Sequence, residues 1–112
     1  MKPIITWNDF EKLDIRVGTI TEVRDFPKAR KPAWQLLIDF GPLGVKRSSA
    51  QITDLYGKES LPGRQVIAVV NFAPKQIANF ISECLVLGIY SAEGAVVLLQ
   101  PERKTGNGLP VG

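Results

Sequence analysis

Few residues in this chain have the chemistry for catalysis. The 112 residues contain no histidine and a single cysteine, Cys84. Without histidine the Ser–His and Cys–His nucleophile pairs cannot be built, and the commonest metal ligand is missing. No metal site and no cofactor is expected. Asp, Glu and Lys remain as proton carriers. Pairs such as Asp9 and Glu11 stand in polar stretches, and nothing in their spacing marks an acid–base couple. There is no P-loop, no dinucleotide fingerprint and no nucleophile elbow. The expectation is a binding protein and not an enzyme. Cys84 opens an apolar stretch and reads as an inert buried thiol.

Binding chemistry is better represented. Lysine and arginine outnumber the acids 14 to 11, a net charge of +3, which leans towards anionic partners. Arg24, Lys28, Arg30 and Lys31 fall within eight residues that hold one acid, Asp25. Lys46-Arg47 is a second basic pair. Each group reads either as a phosphate contact or as a solvated loop. No apolar run approaches the roughly 20 residues that span a bilayer, so no membrane insertion is expected. The segment Met1–Asp9 lacks the apolar stretch of a signal peptide, and a lone cysteine forms no intrachain disulfide. Both fit the cytoplasm. The length fits one domain over residues 1–112.

These groups must be positioned by short elements. Thr6 and Asp9 have capping-box spacing, and Trp7, Phe10 and Leu13 have helical spacing, predicting a short helix that ends near Asp14. Its apolar side needs cover, from the domain's own core or from a partner subunit. Ile15–Val23 reads as the first strand. Ile15 and Val17 share one parity, Ile20 has the other, and Gly18 between them predicts a bulge or bend. Val23 does not fit the new phase. Phe26–Pro32 is a basic loop bounded by prolines. Trp34, Leu36, Ile38 and Phe40 alternate as the inward face of a half-buried second strand. After the turn Gly41–Gly44, Val45–Ala50 returns as the third. Thr53–Gly57 reads as a short helical turn, Gln65–Phe72 as a buried strand, and Ala73–Glu83 as a mixed connection. Cys84–Tyr90 and Ala95–Gln100 complete a hairpin. A three-strand meander, a connection and two more strands predict an all-β fold. The order is the one expected of a five-stranded OB-fold barrel, with a short N-terminal helix and a helical turn between strands 3 and 4. An SH3-like barrel is the alternative from the pattern alone.

Three stretches carry a more specific signal: Asp14–Ile20, Arg47–Ile52, and Val70–Ile77 followed by Ser82–Leu87. In order and spacing they resemble the tRNA-binding domain family, which is appended to some methionyl-tRNA synthetases and found in the endothelial monocyte-activating polypeptide. Ile38–Gly41, Arg64–Phe72, Val86–Ser91 and Val96–Pro101 resemble its free-standing, export-related chaperone branch. The likeness runs from about Phe10 to about Asn107. It implies an OB barrel, a homodimer built with the flanking segments, and as partners unfolded preproteins in one branch and tRNA in others. On the family's pattern, Arg47, Ser48, Ser49, Asn71, Lys75 and Ser82 match positions that line the RNA-binding face. The loop cations Lys28, Arg30 and Lys31 are further candidate phosphate contacts.

Phe26, Phe72 and Phe80 lie at loops or strand ends and are candidates for exposure. Phe72, Phe80 and Ile81 are the candidate peptide-binding residues, and Phe80 and Ile81 read equally as core plugs. Asn71 read alone satisfies loop backbone, and Ser82 caps a turn. Two departures favour polypeptide over tRNA. Asn79 stands where many tRNA-binding relatives have glycine, and Ser82-Glu83-Cys84-Leu85 stands where they have Ser-Glu-Gly-Met. The leading expectation is a homodimeric, ATP-independent chaperone for unfolded or export-bound polypeptides; the alternative is a structure-specific tRNA-binding protein.

Overall fold

A computed structural model describes all 112 residues. The helix α1 spans Trp7–Glu11. Its capping box is formed: Asp9 N–H donates to Thr6 Oγ1 at 3.3 Å, and Thr6 N–H donates to Asp9 Oδ2 at 3.1 Å. It stops before Asp14 because Asn71 captures the chain that follows. Asn71 Nδ2 donates to the Lys12 carbonyl at 2.7 Å, and Asp14 N–H donates to Asn71 Oδ1 at 2.9 Å. No residue of α1 is buried.

Nine strands follow: β1 Ile15–Asp25, β2 Trp34–Asp39, β3 Val45–Ala50, β4 Gln65–Val69, β5 Lys75–Ile77, β6 Phe80–Ser82, β7 Leu85–Val86, β8 Gly88–Tyr90 and β9 Val96–Leu98. The main sheet is antiparallel in the order β3-β2-β1-β4-β7. β1 serves two neighbours. Ile15–Thr19 pairs with β4, and Thr19–Asp25 pairs with β2. A strand shared in this way must coil, which brings both of its faces against the core and explains the mixed parity of Ile15, Val17 and Ile20. A Cβ on Gly18 would sit 2.6 Å from Ile38 Cγ2 and 2.7 Å from Phe40 Cε1, so this glycine makes room for the core. The register shift lies further on, between Ile20 and Glu22. The extra residue there, Thr21, resets the phase and sets Val23 opposite Leu36. Val23 thereby joins the core that its parity alone would deny it.

The core holds Ile20, Leu36, Ile38 and Phe40 from the meander, with Leu61 plugging it from the β3–β4 connection. Trp34 packs against it, its Nε1–H donating to the Tyr56 carbonyl at 2.8 Å. The coiled meander, the connection and the closing strand make an OB-type barrel.

Several local expectations are revised. Residues 53–55 form a plain turn, and the 3-10 helix stands one connection earlier, at Gly41–Leu43. The stretch expected as a connection is partly the β5–β6 hairpin, whose turn holds Ala78 at φ 52°. The strand expected over residues 84–90 breaks at Leu87, whose N–H turns to Ile67 while its carbonyl accepts from Leu99 N–H. The segment after Asn107 lies along the open edge of early β1: Gly108 N–H donates to Val17 O at 2.7 Å and Val111 N–H to Ile15 O at 2.8 Å. No helix is long and apolar enough to cross a membrane.

Candidate functional site

β3 and β7 end the main sheet at opposite edges and are not paired with each other. The outer backbone groups of β3 need other partners, and residues 82–84, just before β7, supply them through side chains and one backbone hydrogen bond. Ser48 Oγ donates to the Cys84 carbonyl at 2.9 Å, and Ser49 N–H donates to Ser82 Oγ at 3.1 Å. Glu83 N–H donates to the Arg47 carbonyl at 2.8 Å, and Arg47 N–H donates to Glu83 Oε1 at 3.0 Å. That backbone hydrogen bond, aided by the Arg47 guanidinium, holds the Glu83 carboxyl below its ordinary pKa, against a partial burial cost. Ser48 and Ser82 are buried, and their hydroxyls hold the seam together. Cys84 lies in the same seam, and burial pushes its thiol up to about 11.

Beside the seam is a cavity of about 260 Å³. Phe72, Ile77 and Leu85 give it apolar walls, Ser49 and Ser82 line one side, and Lys75 stands at its edge. Phe72 is half exposed, at 51 %, and Lys75 is exposed and makes no ion pair. A second cavity, of about 310 Å³, shares Ser49 and Leu85 with the first and reaches Tyr90. The two form one surface along the seam. Its chemistry suits an apolar side chain whose polar neighbours meet hydroxyls and an ammonium group.

The fold thus brings Ser49, Phe72, Lys75 and Ser82 to one cavity. It sends the other expected residues elsewhere. Asn71 has both amide ends tied to backbone at the α1–β1 junction. Ser48 has no surface to offer a ligand. Phe80 is a core plug and not a groove residue: it is 7 % exposed and packs on Phe26, also buried. Ile81 alternates outward beside it and is exposed, as are Lys28, Arg30 and Lys31 in the β1–β2 loop. Arg47 is half exposed, 3.3 Å from Glu83 and 5.7 Å above the Phe80 ring centre.

Sequence reasoning missed Leu85 and Tyr90. Both sit in a stretch that reads as one apolar strand, and only its break at Leu87 turns Tyr90 out to 84 % exposure. No cluster of three His, Cys, Asp or Glu side chains is placed to hold a metal ion.

A family model described as "Putative tRNA binding domain" matches residues 15–110. The chain is 36% identical over 107 residues to the methionine–tRNA ligase of Methanococcoides burtonii, covering 96% of this chain but 16% of that enzyme. It is therefore similar to a small part of those ligases. Among solved structures, the chaperone CsaA of Bacillus anthracis is 51% identical with a TM-score of 0.93, covering 98% of this chain and all of that one (100%). The CsaA chaperone of Picrophilus torridus is 55% identical with a TM-score of 0.91, over 97% and 100% of the two chains. A MetRS-related protein of Pyrococcus horikoshii, at 23% identity and TM-score 0.88, shares the fold. With a family match that takes in every strand, from Ile15 to Leu98, the chain belongs to the tRNA-binding domain family, with CsaA chaperones as its structural neighbours.

Proposed function

We propose that this chain is a homodimeric, ATP-independent chaperone that holds unfolded or export-bound polypeptide in the cytoplasm. The observation that carries the reading is the open apolar cavity beside the seam, with Phe72 half exposed at its mouth. Whole-chain similarity to CsaA chaperones supports it. An extended segment would place an apolar side chain between Phe72, Ile77 and Leu85, while its backbone carbonyls accept from Lys75 Nζ or Ser49 Oγ. Recognition through backbone and one pocket tolerates many sequences, as a chaperone requires. The sequence offers no nucleotide-binding loop to drive release, so binding would be a mass-action equilibrium.

The dimer half of the reading rests on α1. Trp7 is 81 % exposed, and Ile5, Trp7 and Phe10 line an open apolar hollow. Ile4, Leu13, Leu109 and Val111 are also exposed, from the segments at the two ends of the chain. A second copy would cover this face. The test is suppression of aggregation of a denatured client, with light scattering for mass. Wild type should act at stoichiometric ratio without ATP, and Phe72→Ser should be weaker. A wild type that neither suppresses aggregation nor binds unfolded peptides ends this reading.

A second reading, as a structure-specific tRNA-binding protein, is favoured by one observation. Lys28, Arg30, Lys31, Lys46 and Lys75 make no ion pair within the chain. Phosphate contacts by such groups would make affinity fall steeply with salt. Filter binding of tRNA at low and moderate salt decides it, and absence of binding at low salt removes it.

A further inference from the structure

Apart from the main core, the chain builds a second, small one. Phe26, Ala33 and Phe80 are each buried, with Ala29 and Ile77 packed against them. The rings of Phe26 and Phe80 have centroids 5.5 Å apart and are inclined at 56°. Such tilted pairs are attractive beyond the area they bury. This cluster joins two segments distant in sequence, the loop 26–33 and the β5–β6 hairpin. No hydrogen bond links those segments, so side-chain packing alone holds them together.

The loop is built for this attachment. Its anchors, Phe26 and Ala33, stand at its two ends, and Pro27 and Pro32 lie just inside them. The prolines stiffen the chain next to each anchor. Lys28, Arg30 and Lys31 are left between them, exposed and without ion pairs. Across the clasp, Lys75 begins the hairpin, and the Arg47 guanidinium lies over the Phe80 ring. Arg47 thus lies on the clasp itself, while the loop cations and Lys75 stand on the two segments that the clasp joins.

We propose that the Phe26–Phe80 clasp is a positioning device. It fixes the β1–β2 loop against the β5–β6 hairpin so that Lys28, Arg30, Lys31, Arg47 and Lys75 act as one phosphate-binding surface for a structured RNA. This rests on the tRNA-binding reading given above. Free to move, the loop would have to be ordered when the RNA binds, at a cost set by each immobilised side chain. The clasp orders it beforehand. Phe80 and Phe26 are positioning residues and touch no phosphate themselves.

The experiment measures tRNA binding by filter retention across a salt series for wild type, Phe80→Ala, Phe80→Leu and the triple variant Lys28→Gln/Arg30→Gln/Lys31→Gln. Phe80→Ala changes no charge. It should nonetheless weaken binding roughly tenfold at low salt and flatten the dependence of log K on log salt by about two phosphate contacts, as the triple variant does. Adding the triple change to Phe80→Ala should have little further effect, because both remove the same surface. Phe80→Leu, which refills the clasp, should recover most of the affinity. Trypsin should cut the loop near Lys28–Lys31 faster in Phe80→Ala than in wild type, with the far-ultraviolet spectrum unchanged. If Phe80→Ala fails to fold, Phe26→Ala removes the other ring of the clasp and makes the same comparison. Wild type without tRNA binding at low salt sinks the RNA reading and this inference with it. Tight wild-type binding with an unchanged salt slope in the clasp variants, or additive losses, overturns the clasp alone.

Discussion

Replacing Asn71 by alanine tests whether a residue expected at a ligand face is in fact a structural tie. Its side chain makes two hydrogen bonds, to Asp14 N–H at 2.9 Å and to the Lys12 carbonyl at 2.7 Å. A typical net contribution is about 0.5–1.5 kcal/mol each, and water competes at this exposed junction. The two together then stabilise the fold by about 1–2 kcal/mol. For a domain of this size the melting temperature should fall by roughly 4–10 °C. Asn71→Asp separates the two bonds. It keeps the acceptor for Asp14 N–H but sets a carboxylate against the Lys12 carbonyl. It should be destabilised at neutral pH and recover towards acid, where the protonated carboxyl donates again. Thermal melts followed by circular dichroism give the stability, and hydrogen exchange at the Asp14 amide reports the first bond directly. A ligand-facing asparagine predicts the opposite pattern. If Asn71→Ala melts with wild type, keeps the Asp14 amide protected and loses only tRNA or peptide binding, the structural account is refuted.

Four further outcomes are expected. Gly18→Ala should destabilise by about 1–3 kcal/mol through overpacking, read as a lower urea midpoint, because its Cβ would lie 2.6 Å from Ile38; an unchanged midpoint contradicts the packing described. Ala78→Gly should stabilise by somewhat less than about 1 kcal/mol, since it removes a left-handed alanine at φ 52° while loosening the unfolded chain, and a lower melting temperature would show that Ala78 is not strained. Glu83 has a depressed folded pKa, so the stability it contributes is present above its ordinary value of 4.5 and is lost as pH falls through the folded value. Urea midpoints of wild type should drop more steeply than those of Glu83→Gln in that acid range, and parallel profiles would refute the assignment. Cys84, with its thiol raised from 9.0 to about 11, should hold about a hundredfold less thiolate than a free cysteine, and iodoacetamide should label it quickly only after unfolding.

Much of the fold was legible in the residues. The alternation of Trp34, Leu36, Ile38 and Phe40 needs only a period of two and one covered face, and the core took them as expected. The capping box at Thr6 and Asp9 is local in the same way. The absence of histidine limits nucleophilic and metal chemistry whatever the fold.

What the tertiary structure decided involves contacts between distant segments. Val23 looked misplaced because the bulge that resets its phase depends on pairing with β2. The β5–β6 hairpin was hidden because its turn uses Ala78 in a conformation that sequence patterns assign to glycine. Asn71, Ser48 and Phe80 were plausible ligand residues by type. Their partners, however, lie 57, 36 and 54 residues away, at Asp14, Cys84 and Phe26. A side chain's composition says which bonds it is able to make. Only the folded chain decides whether a neighbour has already taken them, and at the seam it left Ser49, Phe72 and Lys75 beside an open cavity.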